Sequence, residues 1–283
     1  MQFIGIVLVL GLVQIWGSGA PLHRDRWFFD WISRVKAVEW LKLYPLSHFS
    51  VAIALPLILL LLLEGLFFSI SIWLHLLLSV AVLTYCLGRG DFSMLCSRYM
   101  VAWSTGNWLQ AVHEAGKANV DLSEIDDGDW AELHHRMVKA LAYLGFERMF
   151  AVLFWYLILG LSGALVYRLA SLYREETEDP IEYESIARLM WLMEWPAVRA
   201  LGLSFALTGN FVSCFTRFRS HLTCVKTSTE HMLLMFVESA LSVTQEDIEN
   251  PRCGEHELRE LERLFARTLV LWLCFVAVAT VFW

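Results

Sequence analysis

Between Phe49 and Leu87 the chain carries a single Asp, Glu, Lys or Arg, namely Glu64. A soluble fold has no place for so long an apolar run, and a membrane-spanning helix needs about 20 such residues. The segment is therefore long enough for two helices. A break near Ser69-Ile-Ser71, just after Glu64-Gly65, predicts a tight hairpin, with one long tilted helix as the alternative. Pro56 falls inside the first of these helices, where a membrane helix tolerates proline better than a soluble one does.

Three further runs have the same character. Met1 to about Trp16 is short and is followed by GSGA, which resembles a signal peptide, but MQFIG carries no Lys or Arg. An uncleaved anchor is expected. Phe150 to about Ala170 is interrupted by Gly160, Ser162 and Gly163, and Thr268 to Trp283 is the last. A hydrophobic fraction of 57% supports the membrane assignment, and so do the thirteen Trp, of which Trp16, Trp27, Trp31 and Trp40 flank the first two runs as interfacial anchors do. The expected fold class is an all-α, polytopic membrane bundle with cytoplasmic helical loops.

Leu189 to Phe215 is apolar overall yet holds Glu194, Arg199 and Asn210. Pro196 suits the first turn of a helix, which predicts an amphipathic stretch up to Trp195 and a membrane-embedded or re-entrant helix from Pro196. Lys and Arg are retained on the cytoplasmic side. Arg24, Arg26, Arg34, Lys36 and Lys42 after the first run, the bases between Gly88 and Arg148, and those between Arg217 and Arg267 belong there. The acidic SLYREETEDPIEYES suits an outside loop. The bias is satisfied if 196–215 crosses back, or if the Phe150 run is itself re-entrant. Six embedded segments with both termini outside are expected.

The linear division is thus 1–87, an anchor plus hairpin with a basic loop at 17–48; 88–148, a cytoplasmic helical region; 149–215, central membrane segments joined by the acidic loop; 216–267, a second cytoplasmic helical region; and 268–283, the final membrane helix. Within the polar regions, Asp129-Trp-Ala-Glu132 reads as a capping box opening a helix from Trp130 toward Gly145. Glu230 to Ser242 is apolar on most faces. Glu255 to Arg267 is amphipathic, with Glu255 and Arg259 spaced to pair, and Leu258, Leu261 and Phe265 form a stripe that can run on into the last span.

A net charge of -7 with no basic cluster excludes a nucleic-acid binder. The six cysteines, Cys86, Cys96, Cys214, Cys224, Cys253 and Cys274, show no ligand spacing and are read as free thiols. Asp121, Glu124, Asp126, Asp127 and Asp129 do not follow a calcium-loop pattern. His134 and His135 are adjacent and face different sides of a helix, so they cannot chelate together, and nothing local joins His113 and Glu114 to them. No metal, cofactor or catalytic residue is assigned, and no Walker, GxGxxG or GxSxG motif occurs. More informative are charges at membrane depth, which cost about 2.5–3.5 kcal/mol each on insertion scales and usually pair or face a cavity. Glu147, Arg148, Arg168, Glu194 and Arg199 are the candidate ligand or polar-pocket residues, with Arg148 snorkelling to lipid phosphate as the plain alternative.

GFERMFAVLFW followed by GLSGALVYRL, and later MEWPAVRALGLSFALTGN, resemble the two signature blocks of the AmpE family. The likeness runs in order over most of the chain and includes HRDRWFFDWISRVK. It implies a non-catalytic, multi-pass protein of the bacterial inner membrane, encoded beside a peptidoglycan-recycling amidase and linked to control of β-lactamase induction. The implied partners are the lipid bilayer, a cell-wall-derived ligand or protein, and a second copy of the chain. The same blocks are more distantly similar to the CbiB/CobD enzymes of cobalamin assembly. Here, however, Leu169-Ala-Ser-Leu-Tyr173 follows Tyr167-Arg168 where those enzymes carry Asn-Thr-Leu-Asp, and Met193-Glu194 replaces an aspartate pair before Pro196 and Arg199. A metal-assisted transferase would need the missing acids. A transporter of a cell-wall fragment or lipid is the third alternative.

Overall fold

The computed structural model describes residues 2–16, 25–38, 46–87, 91–122, 129–222, 224, 227–241 and 251–282. Among these every regular element is helical: α1 (Gln2–Trp16), α2 (Arg26–Lys36), α3 (Ser47–Ile70), α4 (Ile72–Cys86), α5 (Asp91–Ser104), α6 (Trp108–Lys117), α7 (Trp130–Gly145), a π turn (Phe146–Phe150), α8 (Ala151–Glu175), α9 (Pro180–Thr208), α10 (Phe211–His221), α11 (Thr229–Leu241) and α12 (Pro251–Phe282). Three are long and apolar enough to cross a membrane: Ser47–Ile70, the continuous Trp130–Glu175 run, and Gly254–Thr280. Phe3–Leu12 and Ile72–Cys86 are shorter apolar helices. Only 17% of the apolar window of α3 is buried, and Leu62, Phe68, Trp73 and Leu77 are each more than 65% exposed. Water would penalise so much contiguous apolar surface; lipid does not.

The chain forms two compact units, Met1–Arg89 with Arg148–Ala197, and Gly90–Glu147 with Val198–Trp283. In the first, α1 packs on α4, α3 packs on both α4 and α8, and α2 lies across α3 and α8. The predicted hairpin is present. Ser71 is extended (φ -164°, ψ 135°) and its side chain accepts from the Trp73 N–H, so one residue stops α3 and caps α4. α2 is strongly amphipathic: Phe28, Ile32 and Val35 are buried, whereas Trp27 is half exposed. The Trp31 indole N–H donates to the Ala52 carbonyl at 3.1 Å and pins α2 to α3.

α8 is not straight. Gly160 has φ 69° and ψ -153°, in the left-handed half of conformational space that L side chains avoid. Eight residues of straight helix rise about 12 Å, yet a Cβ on Gly163 would stand 2.5 Å from the Trp155 carbonyl oxygen. α8 therefore bends sharply at Gly160, its two arms touching next to the bend, with Ile158 and Leu159 exposed there. The sequence reading had Phe150–Ala170 interrupted at these glycines but did not fix the bend.

In the second unit α7 packs on α11, α5 packs on α6 and α12, and α10 and α12 both lie against α11. Asp129 caps α7 as predicted, accepting from the Glu132 N–H at 3.0 Å. The return half of that capping box is not among the observed bonds, because Glu132 instead accepts from Arg136 at 2.6 Å. Glu255 and Arg259 pair, Leu258, Leu261 and Phe265 are buried, and the stripe does continue into the last apolar segment as the single helix α12. The Phe265 ring meets Phe92 and Phe205 edge-on at 5.5 Å each.

One expectation is corrected. Pro196 does not begin a helix; it lies inside α9, which runs unbroken from Pro180 to Thr208. Losing one N–H frees only the Leu192 carbonyl, and with Met190, Glu194, Ala197 and Val198 buried around it the helix runs through. The actual break comes at Gly209-Asn210, where the Asn210 side chain caps α10 by accepting from the Ser213 N–H at 3.2 Å, while its own N–H donates to the Ala240 carbonyl at 3.0 Å.

Candidate functional site

The five residues predicted from the sequence divide between the units: Arg148, Arg168 and Glu194 in the first, Glu147 and Arg199 in the second. In the first unit, Tyr167 and Arg168 are successive residues on α8 and so point about 100° apart. Arg168 is buried and donates through Nη2 to the Asp25 carboxylate at 3.1 Å, just before α2. Tyr167 is fully buried, and its hydroxyl donates to Glu194 Oε1 on α9 at 3.3 Å. Glu194 is 2% exposed. A carboxylate so deeply placed has to be met by a donor or a cation, and each of these two acids has one. Arg168 and Glu194 thus go to different partners, Asp25 and Tyr167, neither of which was among the predicted residues.

Glu147 and Arg148 occupy the π turn. A π turn inserts an extra residue into the helical ladder, and such turns are frequent at functional positions. Glu147 is buried, and Arg148 is half-buried. In the second unit, Arg199 donates through Nε to the Leu222 carbonyl at 2.8 Å and through Nη2 to the Cys224 carbonyl at 2.7 Å. Leu222 is the C-cap of α10 and Cys224 follows it, so the two oxygens lie just beyond the helix end. The planar guanidinium spans them as a fork.

A second polar centre, which the sequence reading passed over, lies in the same unit. His134 on α7 is fully buried. Its Nε2 is 3.3 Å from Glu257 Oε2 on α12, and its Nδ1 is 3.4 Å from the Tyr99 hydroxyl on α5. A neutral ring protonated on Nε2 satisfies both contacts, donating to the carboxylate and accepting from the phenol. The Trp103 ring lies 4.7 Å from the imidazole, and the Trp108 and Trp130 rings stack at 4.7 Å nearby along the chain. Burial, with the Glu257 carboxylate as the lesser cause, pushes the Tyr99 hydroxyl well above the ordinary phenol range. His135 turns the other way, to within 3.7 Å of Glu238, so the two histidines do face different sides. The aromatic spacing Tyr99, Trp103, Trp108 was a visible signal; the partner Glu257 lies 123 residues from His134 and was not.

Glu114 is 1% exposed and accepts from Lys117 at 2.8 Å; it does not join the His134 group in any observed bond. Of the acidic cluster, Asp129 serves as a helix cap, Asp121 gives its carbonyl to Arg136, and Glu124, Asp126 and Asp127 lie outside the described residues. Among the described residues no group of three or more His, Cys, Asp or Glu is placed to hold a metal ion. Cys86, Cys96, Cys214, Cys224 and Cys274 are free thiols; the side chain of Cys253 lies outside the description. Burial, and secondarily Glu262, pushes the Cys96 thiol far up.

No curated protein and no solved structure matches the chain. Two compact helical units, three helices suited to a bilayer and buried charges held by hydrogen bonds or ion pairs accompany one positive comparison. The family model described as regulatory signalling modulator protein AmpE matches residues 1–282, and the chain belongs to that family.

Proposed function

We propose that the chain is a non-catalytic, multi-pass protein of the bacterial inner membrane that couples peptidoglycan recycling to β-lactamase induction. The observation that carries this reading is the family match over residues 1–282, joined to the apolar helices. It is tested by deleting the gene in a host with inducible β-lactamase and measuring induction by a β-lactam, with and without the neighbouring amidase gene. Restoration by the full chain is expected. Unchanged induction after deletion, with the amidase intact, would sink the proposal. Arg148→Gln probes the π turn: altered induction at normal membrane abundance is the expected result, whereas equal loss of both would mean a folding role.

The same reading includes a topology. Phe150–Leu159 rises about 15 Å, half of a hydrocarbon core of about 30 Å, before the chain turns at Gly160. We propose that α8 enters the bilayer from the cytoplasm and returns there, leaving α1, α3, α4 and α12 as the crossing helices. Both termini stay outside and the basic segments stay inside, with four crossings rather than six embedded segments.

A second reading, a transporter of a cell-wall fragment or lipid, is favoured by the break at Gly160, because helices interrupted within the bilayer recur at transporter binding sites. Substrate-dependent uptake into vesicles containing the chain would select it over the modulator.

A further inference from the structure

The first unit contains an open cavity of about 760 Å³, within the size range of ligand sites. Its lining changes character from end to end. At one end α2 contributes Trp27, Asp30, Trp31 and Arg34, whose spacing of i, i+3, i+4 and i+7 makes one helix face. The remaining wall is mainly apolar. Leu55, Leu59 and Leu63 follow one another at every turn of α3 and face Leu78 and Ala81 of α4. The Trp31 bond to Ala52 fixes the polar end beside Leu55, so the apolar trough runs away from it for about 12 Å, to Leu63.

The polar end has unmet valence. Asp30 and Arg34 are exposed and neither makes an ion pair among the described residues. Tyr85, which also lines the cavity, has a buried hydroxyl and its ring lies 6.0 Å from that of Trp27. Asp30 and Arg34 lie one turn apart, with about 5–6 Å between Cβ atoms. They offer an acid and a base side by side at the mouth of a hydrocarbon-sized trough. α2 is also the kind of helix that lies at headgroup level, with apolar residues beneath and Trp along its flank.

A ligand complementary to this arrangement carries a cation and an anion a few ångströms apart on one end of a long hydrocarbon chain. We infer that the cavity holds one zwitterionic phospholipid of the ethanolamine class, its phosphate on Arg34, its ammonium N–H groups on Asp30 and one acyl chain along Leu55, Leu59 and Leu63. A choline head carries the same charges but has no N–H to give a carboxylate. A glycerol head offers Asp30 no cation. This site does not depend on the proposed role in β-lactamase control.

The test is native mass spectrometry of the purified full-length chain, titrated separately with palmitoyl-oleoyl phospholipids bearing ethanolamine, choline and glycerol heads. One ethanolamine lipid is expected to bind more tightly than either of the others. Arg34→Gln is expected to weaken all three lipids by about fivefold, the effect of one headgroup contact of about 1 kcal/mol. Asp30→Asn should weaken the ethanolamine lipid most and leave the glycerol lipid unweakened. Ala81→Trp, made at an exposed position on the trough, should remove the bound lipid. Because Asp30 and Arg34 are exposed, their variants keep the test open even if the Trp variant misfolds. Equal affinity for the three heads, or indifference to both charge variants, would overturn the inference and leave a groove filled by ordinary annular lipid.

Discussion

Arg168 and Tyr167 show how little of a buried polar pairing is written locally. Their partners lie 143 and 27 residues away, and no periodicity points to Asp25. The sequence did mark Arg168 and Glu194 as charges too deep to be idle, because hydropathy alone makes them costly. Which group neutralises each depends on how α2 and α9 meet α8, and that is a tertiary matter. Removing one member of a buried ion pair leaves the other uncompensated, which typically costs about 3–5 kcal/mol. Arg168→Ala is therefore expected to lower the Tm in detergent sharply. Arg168→Met combined with Asp25→Leu should recover much of the loss, since a packed apolar pair replaces both charges. Equal melting of Arg168→Ala and wild type would show that the pair contributes nothing. At Cys96 the raised thiol pKa has a simple sign: the reactive thiolate is suppressed at pH 8, so maleimide labelling should leave Cys96 unmodified in the folded chain and reach it after unfolding in denaturant.

Element boundaries were legible wherever a side chain terminates a helix by its own chemistry. Ser71 and Asp129 are such residues, and both cap as their sequence context implies. The stripe Leu258, Leu261, Phe265 was legible for a different reason, since burial follows the 3.6-residue period. Pro196 misled because its two uses, opening a helix and sitting within one, are separated by packing rather than by sequence. The π turn at Phe146–Phe150 left no signal in GFERMF beyond a charged pair beside an apolar run. The bend in α8 rests on two glycines doing different things, one supplying a backbone conformation and the other a close approach. Gly163→Ala would press a methyl group against the Trp155 carbonyl, and overpacking of that kind costs about 1–3 kcal/mol. Its Tm should fall, while Gly65→Ala, where a Cβ meets nothing within 4 Å, should not destabilise the chain. A stable Gly163→Ala would mean that the arms of α8 do not touch.

For the whole molecule, the membrane class follows from composition, whereas the grouping into two units does not, because each unit is assembled from stretches that the linear order separates. Topology separates the two arrangements that the charge bias allows. If α8 turns back at Gly160, single cysteines introduced at Glu178 and at Ser220 will be labelled from the same side of the membrane. Labelling from opposite sides would restore a full crossing for α8.

α12 extends this argument across the bilayer boundary. It is a single helix of 32 residues, about 48 Å long, and its one proline and one glycine both precede Glu257. Glu257 near one end holds the imidazole of His134, and Trp272 further along donates to Ser204 at 2.8 Å. No proline or glycine interrupts the helix between those points, so a displacement at one is carried toward the other. Whatever tilts the lipid-facing half of α12, whether a thinner bilayer or lateral pressure, therefore also bears on the end of the same helix that carries Glu257 and its contact with His134.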